Sequence, residues 1–164
     1  MQIPATQALI FLPFVLPICF HVAFTDLRDM RITNQAVILL VVVFALVGPF
    51  VMPLPDYGWR WLYLVIALVV GMVLNAAGAM GAGDAKFIAA AAPFIHLGDI
   101  SVLIRLLAAV LLAAVVSHRV VKRTPLRRLA PHWQSWDKVG DFPMGLALGG
   151  TLALYLVLGA FHGS

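Results

Sequence analysis

Six stretches of the chain are dominated by apolar side chains, near residues 3–24, 36–53, 61–79, 87–97, 101–117 and 142–161, with polar breaks between them. A helix that crosses a hydrocarbon core of ~30 Å needs about 20 apolar residues. Five stretches approach that length, and the fourth, with 11 residues, does not. Either its helix begins at Asp84 and the bilayer thins there, or the turn Gly81-Ala82-Gly83-Asp84 lies below the membrane surface. Non-helical backbone at that depth is tolerated only where it is buried or lines a wet cavity. The pattern predicts an all-α, polytopic integral membrane protein with about six transmembrane helices around a cytoplasm-facing cavity. It forms a single domain over residues 1–164.

Composition supports the membrane reading. Hydrophobic residues make up 63% and charged residues 11%, and the mean hydropathy is +1.02. A soluble domain carries roughly 25% charged residues. The single cysteine, Cys19, excludes an intrachain disulfide and a cysteine zinc cluster. Residues 1–24 have no basic leading region and no small-residue cleavage site, so they are expected to stay as the first helix.

Charge sets the topology. Arg28 and Arg31 follow the first span and Lys86 the third; Arg119, Lys122, Arg123, Arg127, Arg128 and Lys138 separate the fifth from the sixth. These are nine of the 11 basic residues, and with six spans all three loops fall on one side, which the positive-inside rule calls cytoplasmic. Arg60 and Arg105 are the exceptions. Basic residues spread between spans mark topology, so no nucleic-acid partner is expected. The stretch 118–141, with Trp133 and Trp136, is expected to lie along anionic lipid headgroups.

All seven acidic residues are aspartates. Asp26 is expected in the loop after the first span, and Asp84 at the edge of the fourth behind Gly81 and Gly83. Both fall on the same membrane side. Two carboxylates close together cannot easily both ionise. One can act as general base on water while the other acts as general acid on a scissile carbonyl. The plainer reading makes them helix caps or partners of nearby arginines. Asp29 is expected to pair with Arg28 or Arg31. Gly71, Asn75 and Ala79, and likewise Gly145 and Gly149, have the four-residue spacing of close helix contacts. The five histidines have no ligand-like spacing, so no metal or other cofactor is expected. No Gly-x-Ser-x-Gly is present. The competing class is a small proton- or cation-coupled transporter or secretion-system membrane component using the same carboxylates. A non-catalytic scaffold is a third.

The segment from Asp26 to Asn34, Asp-Leu-Arg-Asp-Met-Arg-Ile-Thr-Asn, resembles the first signature of type IV prepilin peptidases. Gly81-Ala82-Gly83-Asp84-Ala85-Lys86-Phe87 is similar to their second, Gly-x-Gly-Asp-x-Lys and an apolar residue. Phe142-Pro143-Met144-Gly145 resembles the Pro-x-Gly opening of their last helix. The resemblance implies an aspartyl endopeptidase that removes the leader of prepilin or pseudopilin substrates at the cytoplasmic face of the bacterial inner membrane. It implies catalysis by Asp26 and Asp84, with Gly81, Gly83, Lys86 and Asn34 in supporting motifs and pilus-assembly machinery as a possible partner. Thr33 departs from the family's proline, which softens the turn. The short form resembles the Tad/Flp peptidases, and without the cysteine-rich domain of larger members N-methylation of the product is not expected. Asn34 is expected to cap the second helix. A start of the fourth helix at Asp84, with Lys86 nearby, would favour Asp84 as the anion and base and leave Asp26 as the acid.

Overall fold

The computed structural model describes residues 1–136 and 142–164, so Lys138 and Asp141 lie outside the described residues. Among the described residues six α-helices follow in order: α1 (Ala5–Asp29), α2 (Asn34–Val51), α3 (Leu54–Ala76), α4 (Ala82–Ala91), α5 (Ile100–Arg123) and α6 (Met144–His162). Short 3-10 turns at Ala92–Phe94 and Leu97–Asp99 join α4 to α5. Among the described residues there is no strand. Five helical segments among the described residues are long and apolar enough to cross a membrane: α1, α2, α3, Leu97–Arg123 and α6. The chain is a multi-pass, all-helical membrane protein. With ten residues α4 spans only ~15 Å, half a hydrocarbon core.

Lipid tails are as apolar as leucine, so close approach at small residues, not hydrophobic exclusion, drives helix association in a bilayer. The most extensive pairing, α1 with α6, shows this. A Cβ on Gly149 would stand 2.9 Å from the Cys19 carbonyl oxygen. On the far side of the bundle a Cβ on Gly71 of α3 would stand 2.9 Å from the Ala85 Cβ of α4. An aromatic knot fills the middle: Phe94 meets Phe11 edge-on with ring centroids 4.9 Å apart and Phe44 with centroids 5.6 Å apart. Ile38, Leu46 and Phe50 on α2, Val65, Val69 and Val73 on α3, and Ile104 and Leu112 on α5 face outward, as a lipid-facing surface requires.

Several boundaries differ from the sequence expectation. Helix α1 runs five residues past 24, because nothing breaks it before Met30, whose left-handed φ of 52° ends it with its amide on the Asp26 carbonyl. Asp26 and Arg28 are therefore helical, not in a loop. Helix α3 starts at Leu54 rather than 61, since Pro53 and Pro55 form a strong start signal that outweighs the polarity of Asp56 and Arg60. It stops at Ala76, so Ala79 is outside it. Asn75 and Ala79 are exposed and only Gly71 of that trio packs. The cap of α2 is Thr33, not Asn34: the Thr33 hydroxyl accepts from the Ala36 amide. The residue that departs from the family's proline thus closes the turn by a different bond. Helix α5 continues to Arg123, so the polar stretch begins later than 118. There Trp136 is buried, stacked on His118 with centroids 4.8 Å apart, rather than facing headgroups.

The end of the bundle remote from Asp26 is tied by Asp99. Its carboxylate accepts the Gln2 and Ile3 amides at 2.8 and 2.9 Å and the Tyr155 hydroxyl at 3.0 Å. Tyr155 in turn accepts the His96 amide. Arg60 is buried with Nη1 on the Pro93 and Ile95 carbonyls.

Gly149→Ala is expected to destabilise the protein by about 1–3 kcal/mol, because the intruding Cβ meets rigid backbone. Gly58→Ala, whose Cβ meets nothing within 4 Å in the helix α3, is expected to be neutral or to gain up to ~1 kcal/mol. Equilibrium unfolding in mixed detergent micelles measures both, and equal losses would show that the α1–α6 approach is not limiting.

Candidate active site

Asp26 occupies the last turn of α1 and is buried. A carboxylate there faces the negative end of its own helix dipole. The start of α6 offsets this. Pro143 is its N-cap, and the first-turn amide of Gly145, which has no partner within its own helix, donates to Asp26 Oδ2 at 2.5 Å. A Cβ on Gly145 would lie 2.9 Å from both the Cβ and Oδ2 of Asp26, so only glycine lets the carboxylate sit there without displacement.

Asp84 is held in a parallel way. Gly81 is the N-cap of α4 and Asp84 the third helical residue, placed as in a capping box. The Asp84 side chain takes a hydrogen bond from the Gly81 backbone. A Cβ on Gly81 would stand 2.8 Å from Asp84 Oδ2. Gly83 turns toward the other signature, where its Cβ would meet Ile32 at 3.4 Å. The two segments singled out in the sequence therefore touch.

Asp26, Asp84, Gly81 and Gly83 line one open cavity of about 570 Å³. Met30 and Ile32 wall it from the α1–α2 turn, and Phe142 and Met144 from the start of α6. The Asp84 charge acts on the Asp26 carboxyl. The structure thus brings together the two aspartates and both glycines of the sequence expectation. It does not bring in Lys86 or Asn34, which bond to each other, Nζ to Oδ1 at 3.2 Å. Among the described residues the cation that lines the cavity is Arg31. Lys86 holds Asn34 and makes no ion pair with Asp84 among the described residues. Asp29 pairs with Arg28 at 3.5 Å, as expected. Among the described residues no three His, Cys or Asp side chains gather as a metal site would need.

The family comparison covers residues 13–118, more than half of the chain and both aspartate segments. The chain belongs to the type IV leader peptidase family. No curated protein and no solved structure matches it. In this leader peptidase, then, the cavity is built from both matched segments and from the start of α6, which lies beyond the match. Reading the sequence missed what Gly145 does. It was visible as a packing glycine and as part of Pro-x-Gly, and the signal for its role was its place one residue inside a helix start, where amides lack partners.

Burial pushes the Asp84 carboxyl above its ordinary range, against the opposing pull of the Gly81 hydrogen bond. A carboxyl that holds its proton more tightly folded than unfolded favours the fold most at low pH, and that contribution is lost as pH rises through the folded pKa. Asp84→Asn is therefore expected to be more stable than the parent at neutral pH, by a margin that shrinks toward the ordinary Asp range near ~4. Thermal unfolding across that range tests this; a margin that grows on acidification would contradict it. Gly145→Ala is expected to lower peptidase activity and also to destabilise the protein by about 1–3 kcal/mol, because its Cβ would meet the Asp26 Cβ at 2.9 Å; leader cleavage measured per folded molecule, beside unfolding in mixed micelles, separates the two losses.

Proposed function

We propose that this leader peptidase is an aspartyl endopeptidase in which Asp26 and Asp84 are the catalytic pair. Its substrates are the N-terminal leaders of prepilin-like proteins, cleaved at the cytoplasmic face of the inner membrane. The observation that carries the reading is that both carboxylates line one water-accessible cavity at helix ends, each resting on a glycine. Two carboxylates sharing a site hold one proton between them more readily than none. The ionised member takes a proton from water as it attacks the scissile carbonyl, and the protonated member gives its proton to the carbonyl oxygen. The apolar helix that follows such a leader would lie in the bilayer against the bundle while the cleavage point enters the cavity.

The charge distribution supports the cytoplasmic assignment. Arg28, Arg31, Lys86, Arg119, Lys122 and Arg123 belong to the cavity end of the bundle, where the positive-inside rule expects them. The same cations suit anionic lipid at that surface, and a pilus-assembly partner would meet the same face. Transport by the same carboxylates has no observation in its favour.

Incubating the reconstituted protein with a prepilin and following leader loss tests the reading. Asp26→Asn and Asp84→Asn are each expected to lower the cleavage rate at least about 100-fold with insertion and folding preserved. Asp29→Asn, which loses only a partly exposed pair, is expected to stay near the parent rate. The parent rate should be bell-shaped in pH. Retained cleavage in either Asn variant would remove that residue from the mechanism.

A further inference from the structure

Two helices carry the carboxylate cavity on into the apolar part of the bundle. On α4, Asp84 lines the cavity, and Phe87, Ile88 and Ala91 line an apolar hollow of about 130 Å³. Steps of three, four and seven residues keep all four on one helical face. On α6, Met144 lines the cavity, and Leu148, Thr151 and Leu152, at the same kind of spacing, line the hollow. The Thr151 hydroxyl is spent on the Ala147 carbonyl at 2.7 Å, so it adds no polar demand. Helix α5 forms the outer wall with Leu103 and Leu107.

Ile88 also lines a second apolar hollow of about 400 Å³, on the α3 side. It runs from Met80 and Leu74, beside the glycine-aspartate turn at 81–84, past Ala67 to Tyr63 and Leu97. Ile88 is therefore a ridge with a hollow on each side. Among the described residues α3 packs on α4 and α5 on α6, and α3 and α5 are not packed on each other. The half-length α4 thus floors a slot between two full spans, open at the carboxylate end. Along α3, from Tyr63 to Leu74, the slot is ~16 Å long, the rise of about 11 helical residues. A lipid chain would fill one hollow. Two hollows astride one ridge match the paired rows of side chains that flank a groove on a helix surface.

We propose that this slot docks the apolar helix of the substrate, which lies over Ile88 between α3 and α5 and runs away from the cavity in the same direction as α4. The proposal rests on the reading of the substrate as a prepilin-like protein. The scissile bond then lies at the mouth of the slot beside Asp84, and the first ~11 residues after it occupy the slot as helix. Substrates are selected there by the fit of their apolar side chains on either side of Ile88, apart from anything the leader contributes in the cavity.

Photo-cross-linking of the full chain with a prepilin in reconstituted vesicles tests the slot. Benzoylphenylalanine is placed in turn at Val70 on the α3 wall, at Leu107 on the α5 wall and, as a control, at Leu46 on the lipid-facing side of α2. Adducts are expected from Val70 and Leu107, on prepilin residues soon after the scissile bond, and none above background from Leu46. Kinetics supply the second measurement. Ala67→Trp fills the α3 hollow and Leu103→Trp the α5 hollow, and each is expected to raise KM for the prepilin at least about tenfold, with the loss carried by KM rather than kcat. Asp26→Asn instead lowers kcat. Equal adducts from Leu46, adducts with lipid or a second copy of the chain in place of prepilin, or a parental KM in both tryptophan variants would each overturn the slot while leaving the prepilin reading intact. A parent that cleaves no prepilin would overturn that reading and the slot with it.

Discussion

The hydrogen bond from the Gly145 amide to the Asp26 carboxylate is the constraint around which the cavity end of this protein is arranged. It joins the last turn of α1 to the first turn of α6, the two helices that pack most extensively. It also resolves two problems with one contact. The start of α6 has amides with no intrahelical partner, and the end of α1 is an unfavourable place for an anion. Putting the carboxylate of one onto the amide of the other satisfies both, provided that the donor carries no side chain. A Cβ at position 145 would occupy the space of Asp26 itself. The close approach of α1 and α6 further along, at Gly149 and the Cys19 carbonyl, follows from the same alignment.

Asp84 is set by a local version of that device, on a helix too short to span. Because α4 covers only ten residues, its N-terminus needs support from neighbours rather than from a lipid-spanning stack. Gly71 lets α3 reach the Ala85 side chain one residue from Asp84, and Gly83 brings the turn onto Ile32 of the first signature. Small residues thus do in this bundle what apolar burial does in a soluble core. They fix where the two carboxylates stand relative to each other.

Much of this was legible in the sequence, and the failures have physical causes. The six apolar stretches gave six helices, and the short fourth was legible as short. Helix ends were read poorly because hydropathy reports where lipid lies, not where helical hydrogen bonding stops. Asp26 and Arg28 are polar yet helical, and α3 takes in Asp56 and Arg60 before its apolar run begins. The glycine-aspartate turn marked its own cavity, since Gly81 and Gly83 lie within three residues of Asp84. Gly145 and Asp26 are far apart along the chain, so no local pattern could announce their bond. Lys86 follows Asp84 by two residues, yet its side chain reaches across to Asn34, a partner that adjacency in sequence does not announce.

Asp99 shows why burial alone does not identify a reactive carboxylate in a membrane bundle. It is more deeply buried than Asp26, yet its oxygens receive two backbone amides and a tyrosine hydroxyl. A carboxylate has about four acceptor positions, and three donors leave it little capacity for a proton, a water or a substrate. Its work is to hold residues 2 and 3 against the start of α5 and the middle of α6. Asp26 receives one amide and faces an open cavity across from a second carboxylate. Where α1 begins, the carboxylate is spent on the fold; where α1 ends, acceptor capacity is left over and water can reach it. That contrast, read from donors rather than from depth, supports the catalytic reading for Asp26 and Asp84 and a structural one for Asp99.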